Sequence, residues 1–66
     1  MKWQTIYKTE NQQRAEMVKT ILEEKGFQPV VINKKDSAYL FGLMEVQVNV
    51  EEVLEAIREL EKIKFE

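Results

Sequence analysis

The segment Met44-Glu45-Val46-Gln47-Val48-Asn49-Val50 alternates without a break between apolar and polar side chains. Successive strand residues point to opposite faces of a sheet, so such a run demands one dry face and one wet face. The fold that answers this demand is a sheet covered on one side only. What covers it must come from the rest of a short chain.

Two segments have the periodicity of covering helices. After Thr9-Glu10-Asn11-Gln12, the residues Ala15, Val18, Ile21 and Leu22 recur at three- and four-residue spacing, with Met17 at the margin of the stripe. Either Thr9, with Gln12 at capping-box spacing, or Asn11 can accept a backbone N–H of the first turn. Lys25-Gly26 ends this helix, because glycine readily takes the left-handed cap conformation. The second helix starts at Asn49 with Glu51 and Glu52 in its first turn, where the helix dipole favours acids. Its apolar stripe is expected to be Val53, Leu54, Ile57, Leu60 and Ile63, with Lys62 and Lys64 at the negative end.

Two further strands are expected. Trp3-Gln4-Thr5-Ile6-Tyr7-Lys8-Thr9 is rich in aromatic and β-branched residues, and period-two alternation puts Trp3, Thr5 and Tyr7 on one face and Gln4, Ile6 and Lys8 on the other. Val30-Val31-Ile32, opened by Pro29, has the short apolar composition of an internal strand. The order strand, helix, strand, strand, helix gives a ferredoxin-like α+β fold, βαββα, with a three-stranded antiparallel sheet in the order 1-3-2 and both helices on one face. Ile63-Lys64-Phe65-Glu66 alternates as well and leaves a short fourth strand open.

With 66 residues, a single domain over residues 1–66 is expected. A chain of this size buries only about 60% of the surface it exposes when unfolded, so small domains usually recruit further support. This chain contains no Cys and no His. Disulfides, Cys/His zinc sites, thiol catalysis and imidazole acid–base chemistry are therefore excluded. Association with another chain is the support that remains. Ten Lys and Arg against twelve Asp and Glu give a net charge of −2, which does not suit a nucleic-acid partner. No stretch approaches the length of a membrane helix, and Met1-Lys2-Trp3-Gln4 does not open a signal peptide, so no membrane partner and a cytoplasmic location are expected.

Enzyme activity is not expected either. The hydroxyls of Ser37, Thr5, Thr9 and Thr20 have no histidine to activate them, and a Ser37 with Lys34 or Lys35 would lie on a loop without an oxyanion cradle. Glu23/Glu24 and Glu51/Glu52 are helical neighbours that point in different directions. The two glycines form no phosphate-binding loop, and no catalytic, cofactor or metal residue is assigned.

The remaining candidates are surfaces. Trp3 and Tyr7, on the sheet face without helices, are expected at an interface together with Tyr39 and Phe41 of the connector 33–42. The first strand, left as a free edge, adds a second route to a homodimer. Within the connector, Asn33, Lys34, Lys35 and Ser37 are donors beside two aromatic rings and form a candidate ligand loop. The plainer alternative is a solvated Lys-Lys-Asp-Ser turn followed by aromatic residues folded back as a lid.

The opening aromatic strand ending in Ile6-Tyr7, Ala15-Glu16 with Ile21-Leu22-Glu23 before Gly26, Val31-Ile32-Asn33-Lys34-Lys35-Asp36-Ser37, and Tyr39-Leu40-Phe41-Gly42 before the alternating strand carry a resemblance. Over nearly its whole length the chain resembles the putative prokaryotic signal-transducing proteins, a small bacterial family of unknown function, in the version common in the Bacteroidetes branch. The resemblance implies a ferredoxin-like fold similar to that of the nitrogen-regulatory PII proteins. Many members carry Pro where Val50 stands, so the start of the second helix differs here. No catalytic residue is defined in the family, and its name rests on fold likeness, which is not function. The expected role is a non-enzymatic association or regulatory module, acting as a homodimer or docking on another protein. The other reading is a small-molecule sensor whose 33–42 loop closes over its ligand.

Overall fold

The computed structural model describes residues 2–34 and 43–63. The elements follow the expected order: β1 (Trp3–Thr9), α1 (Gln12–Glu24), β2 (Val30–Lys34), β3 (Leu43–Asn49), a short 3-10 turn (Val50–Glu52) and α2 (Val53–Glu61). The strands form an antiparallel sheet in the order β1-β3-β2, the ferredoxin-like α+β arrangement anticipated above.

The alternating segment is the central strand. Met44, Val46 and Val48 of β3 are buried together with Ala15, Val18 and Leu22 of α1 and Val53 and Ala56 of α2. Ile6, Tyr7, Phe27, Val31 and Leu60 close the rim of this core. Both helices therefore lie on the face that carries the even-numbered residues of β3, and the odd-numbered ones face away.

The helix ends are set by local chemistry. Asn11 is the cap of α1: its Oδ1 accepts from the Arg14 N–H at 3.1 Å, while Thr9 Oγ1 accepts from the Asn11 N–H at 3.0 Å and fixes the approach. At the other end Phe27 N–H donates to the Leu22 carbonyl and Gly26 N–H to that of Glu23, both at 3.0 Å. This paired closure is a Schellman motif, and Gly26 occupies its left-handed position with φ +95. Asn49 Oδ1 accepts from Glu51 N–H at 3.0 Å and opens the 3-10 turn ahead of α2.

Four local expectations need correction. β1 carries a bulge: Thr5 pairs with Gln47 but Tyr7 pairs with Val46, so Ile6 is an extra residue. The alternation of β1 is reset there, and Tyr7 joins Ile6 against the helix-side core instead of pointing to the uncovered face. β2 is an edge strand rather than an internal one, and it continues through Asn33 and Lys34, which are strand and not connector. Val50 ends the alternation inside the 3-10 turn rather than in the strand. The stripe of α2 is rotated: Ala56 is fully buried, whereas Leu54 is 82% exposed and Ile57 is also exposed. With Val53 and Ala56 on the buried side, the advance of about 100° per residue puts Leu54 on the outer side of the helix. Lys35, Ser37, Tyr39, Phe41 and the tail after Ile63 lie outside the described residues.

Leu22 and Leu54 thus separate core from surface. Leu22→Ala is expected to cost about 3 kcal/mol, the scale of a leucine deleted from a packed core. Leu54→Ala should stay within about 0.5 kcal/mol. Urea unfolding of dilute protein, followed by far-UV circular dichroism, checks both.

Candidate functional site

The face of the sheet turned away from the helices is built by cross-strand register. Residues directly opposite one another share a face. Gln47 of β3 is flanked by Thr5 of β1 and Val30 of β2, and Glu45 by Lys8 and Ile32. Trp3 lies opposite Asn49 at one end, and Lys34 opposite Leu43 at the other. Glu45 and Gln47 thus form a polar centre, with Trp3 as the apolar side chain on the β1 margin and Val30 and Ile32 on the β2 margin. The Trp3 side chain is 44% exposed, and Val30 and Ile32 are exposed as well.

The polar centre is internally bonded. Thr5 Oγ1 donates to Glu45 Oε1 at 2.6 Å, Gln47 Nε2 donates to Thr5 Oγ1 at 3.0 Å, and a longer 3.5 Å contact joins Gln47 Nε2 to Glu45 Oε1. Lys34 Nζ lies 3.4 Å from Glu45 Oε2. Glu45 is only 5% exposed, the one buried polar or charged residue among those described. Its carboxyl is held below the ordinary value, chiefly by the Thr5 hydrogen bond, with the Lys34 charge and the Lys34 and Gln47 hydrogen bonds adding to it. Burial acts in the opposite direction. No helix covers this face, so desolvation does not prevail.

Of the residues singled out from sequence, Trp3 stands on this face as expected and Lys34 joins it through Glu45. Tyr7 and Asn33 do not: Tyr7 packs toward the core, and Asn33 pairs with Met44, a helix-side residue. Lys35, Ser37, Tyr39 and Phe41 fall outside the described residues. Sequence reasoning passed over Glu45, Gln47, Val30 and Ile32 as site residues. The alternation of β3 already assigned Glu45 and Gln47 to one face, but only the register with β1 places Thr5 beside them.

A second concavity, of about 380 Å³, is lined by Lys25, Phe27, Glu55, Arg58, Glu59 and Lys62. Its charges are largely paired among themselves: Glu59 meets Lys25 at 3.7 Å and Lys62 at 3.4 Å. Among the described residues no group of three or more acidic side chains could hold a metal ion, and no helix is long and apolar enough to cross a membrane.

The sequence profile of the family described as putative prokaryotic signal transducing protein matches residues 3–60. The chain belongs to this family. The matched region begins at Trp3 and takes in every strand and nearly all of α2, so both the covered and the uncovered face of the sheet lie within it. The family's description points to a small domain in signal transduction and names no ligand or partner. No curated protein and no solved structure matches the chain.

Because the folded Glu45 carboxyl titrates below its ordinary 4.5, its stabilising contribution is fully present above that value. It is lost as the pH falls through the lower, folded one. Thr5→Val removes the main cause of the shift, so the Glu45 titration followed by carboxyl NMR should move upward, and the variant's stability should depend less on acidification. An unchanged Glu45 titration in Thr5→Val would show that the hydroxyl does not control it.

Proposed function

We propose that this protein is a non-enzymatic, cytoplasmic association module of a regulatory pathway, and that it presents the uncovered face of its sheet to a protein partner, working as a homodimer. The observation that carries the reading is Trp3: an indole left 44% exposed on a face whose polar centre satisfies itself. Partly buried tryptophans surrounded by apolar and self-bonded polar groups have the composition of interface hot spots. Val30 and Ile32 on the far margin give the partner a second apolar foothold, and Lys8 and Lys34 give the rim positive charge.

A non-catalytic role fits the chemistry of the same face. Glu45 is paired with Lys34 and accepts from Thr5, an arrangement that keeps a carboxylate ionised rather than poised to exchange a proton. The chain has no His or Cys to supply another base or nucleophile. A signalling domain needs no more than a surface whose occupancy changes with conditions, which agrees with the family's description.

A photo-crosslinking amino acid at position 32, introduced in bacterial cells, tests this surface. Discrete adducts to another protein are expected from position 32 and not from position 23 on the outer side of α1. Trp3→Ala should weaken the complex by about 2 kcal/mol, the scale of an aromatic hot spot, and thin the adducts accordingly. Equal adducts from positions 32 and 23, or no response to Trp3→Ala, would overturn the assignment.

A further inference from the structure

The two layers of the molecule differ in charge. Residues 11–25 and 49–62, the helices and the 3-10 turn with their caps, carry eight Glu against five Lys and Arg, a surplus of three negative charges. The charged residues of the three strands are Lys8, Lys34 and Glu45. Cross-strand register puts all three on the uncovered face, with Lys8 opposite Glu45 and Lys34 opposite Leu43, so that face has one positive charge in excess. The other charged side chains offset one another: Lys2 against Glu10, Lys35 against Asp36 and Lys64 against Glu66.

The uncovered face is also directional. Along β3, Trp3 lies at the level of Asn49, Val30 at that of Gln47, Ile32 and Lys8 at that of Glu45, and Lys34 at that of Leu43. At about 3.4 Å per residue, the level of Trp3 is about 14 Å from that of Lys8 and about 20 Å from that of Lys34. One end is aromatic and the other basic, with Val30 and Ile32 between them. Glu45 does not cancel the basic end toward an incoming group, because it is 5% exposed and engaged with Lys34 at 3.4 Å. Lys8 is exposed.

We infer that the partner of this face is an acidic protein segment, which sets an apolar side chain against Trp3 and carboxylates against Lys8 and Lys34. The inference rests on the association reading above and supplies the partner's chemistry. Packed layers stand about 10 Å apart, about one Debye length at physiological salt. A carboxylate arriving at the sheet is therefore governed by the two lysines and not by the acidic helices behind it. Arriving at the helices, the same segment meets the surplus of Glu and is repelled. The charge difference selects the surface, and the separation of Trp3 from the lysines selects the direction in which the segment lies. About six extended residues span the face from Trp3 to Lys34. The centre makes no demand on them, since Thr5, Glu45 and Gln47 bond one another. A second copy fits less well: its own uncovered face brings like charge, and its acidic helices would make a head-to-tail contact that does not close at two copies.

Purified full chain, used as bait for a display library of short random peptides, tests the inference. Binders that are lost on Trp3→Ala belong to this face. They should contain more Asp and Glu than Lys and Arg, bind Lys8→Glu about fivefold more weakly than the wild type, and weaken as salt rises from about 50 mM to about 500 mM. Glu16→Lys, on the outer side of α1, should change their affinity by less than about twofold. Lys8 and Glu16 are both exposed, so both variants should keep the wild-type circular dichroism. Trp3-dependent binders that are neutral or basic, or that bind Lys8→Glu as tightly as the wild type, would overturn the inference, and so would a library that yields none. Self-association of the chain that is lost on Trp3→Ala would overturn it too, and would give the face to a second copy. In cells, Lys8→Glu should thin the position-32 adducts. Adducts undiminished by Lys8→Glu would keep the face as a docking surface and remove its acidic partner, whereas a wild type without adducts and without Trp3-dependent peptides would remove both.

Discussion

The structure depends on β3 separating two environments residue by residue. Val46 and Val48 are fully buried against α1 and α2, while Glu45 and Gln47, one peptide step away, face the uncovered side. Both other strands pair with β3, so its register assigns a face to each of their residues. A slip by one residue would bring Glu45 under the helices and expose the valines. The buried valines therefore fix not only the core but also the composition of the opposite surface.

That opposite surface is held in shape by polar contacts of unequal weight. Lys34 is an exposed side chain at the strand end, and its attraction for Glu45 is screened by water. Thr5 is a short, β-branched side chain on the neighbouring strand, and its 2.6 Å hydrogen bond to the carboxylate restricts both groups. Gln47 then donates to the Thr5 oxygen and completes the chain of donors. With these groups satisfied by one another, the face meets water or a partner with Trp3 at one margin, Val30 and Ile32 at the other, and a centre that requires no new hydrogen bonds.

Much of this was legible in the sequence, and what was not has definable causes. The alternation of residues 44–49, a first-helix cap at either Thr9 or Asn11, the stop at Gly26, and the strand order 1-3-2 all follow from local periodicity and chain-connection rules. The position of Trp3 does too, because it precedes the bulge. Tyr7 follows it: one inserted residue reverses the face of everything downstream, and nothing in Thr5-Ile6-Tyr7 distinguishes a bulge from continued alternation. Leu54 fails for another reason. Hydrophobicity ranks it above Ala56, yet Ala56 is fully buried and Leu54 is exposed, and a stripe of apolar residues in sequence does not by itself say which of its members turns inward. The polar centre needed β1 to be placed against β3, a pairing between residues about forty positions apart.

The bulge and the exposed leucine bear on one another. In a two-layer fold, α2 covers β1 from above, and any apolar residue on its outer flank lies beside whatever adjoins the β1 edge. A regular strand edge is open to indefinite strand addition, whereas the bulge at Ile6 limits how far regular pairing can run along β1.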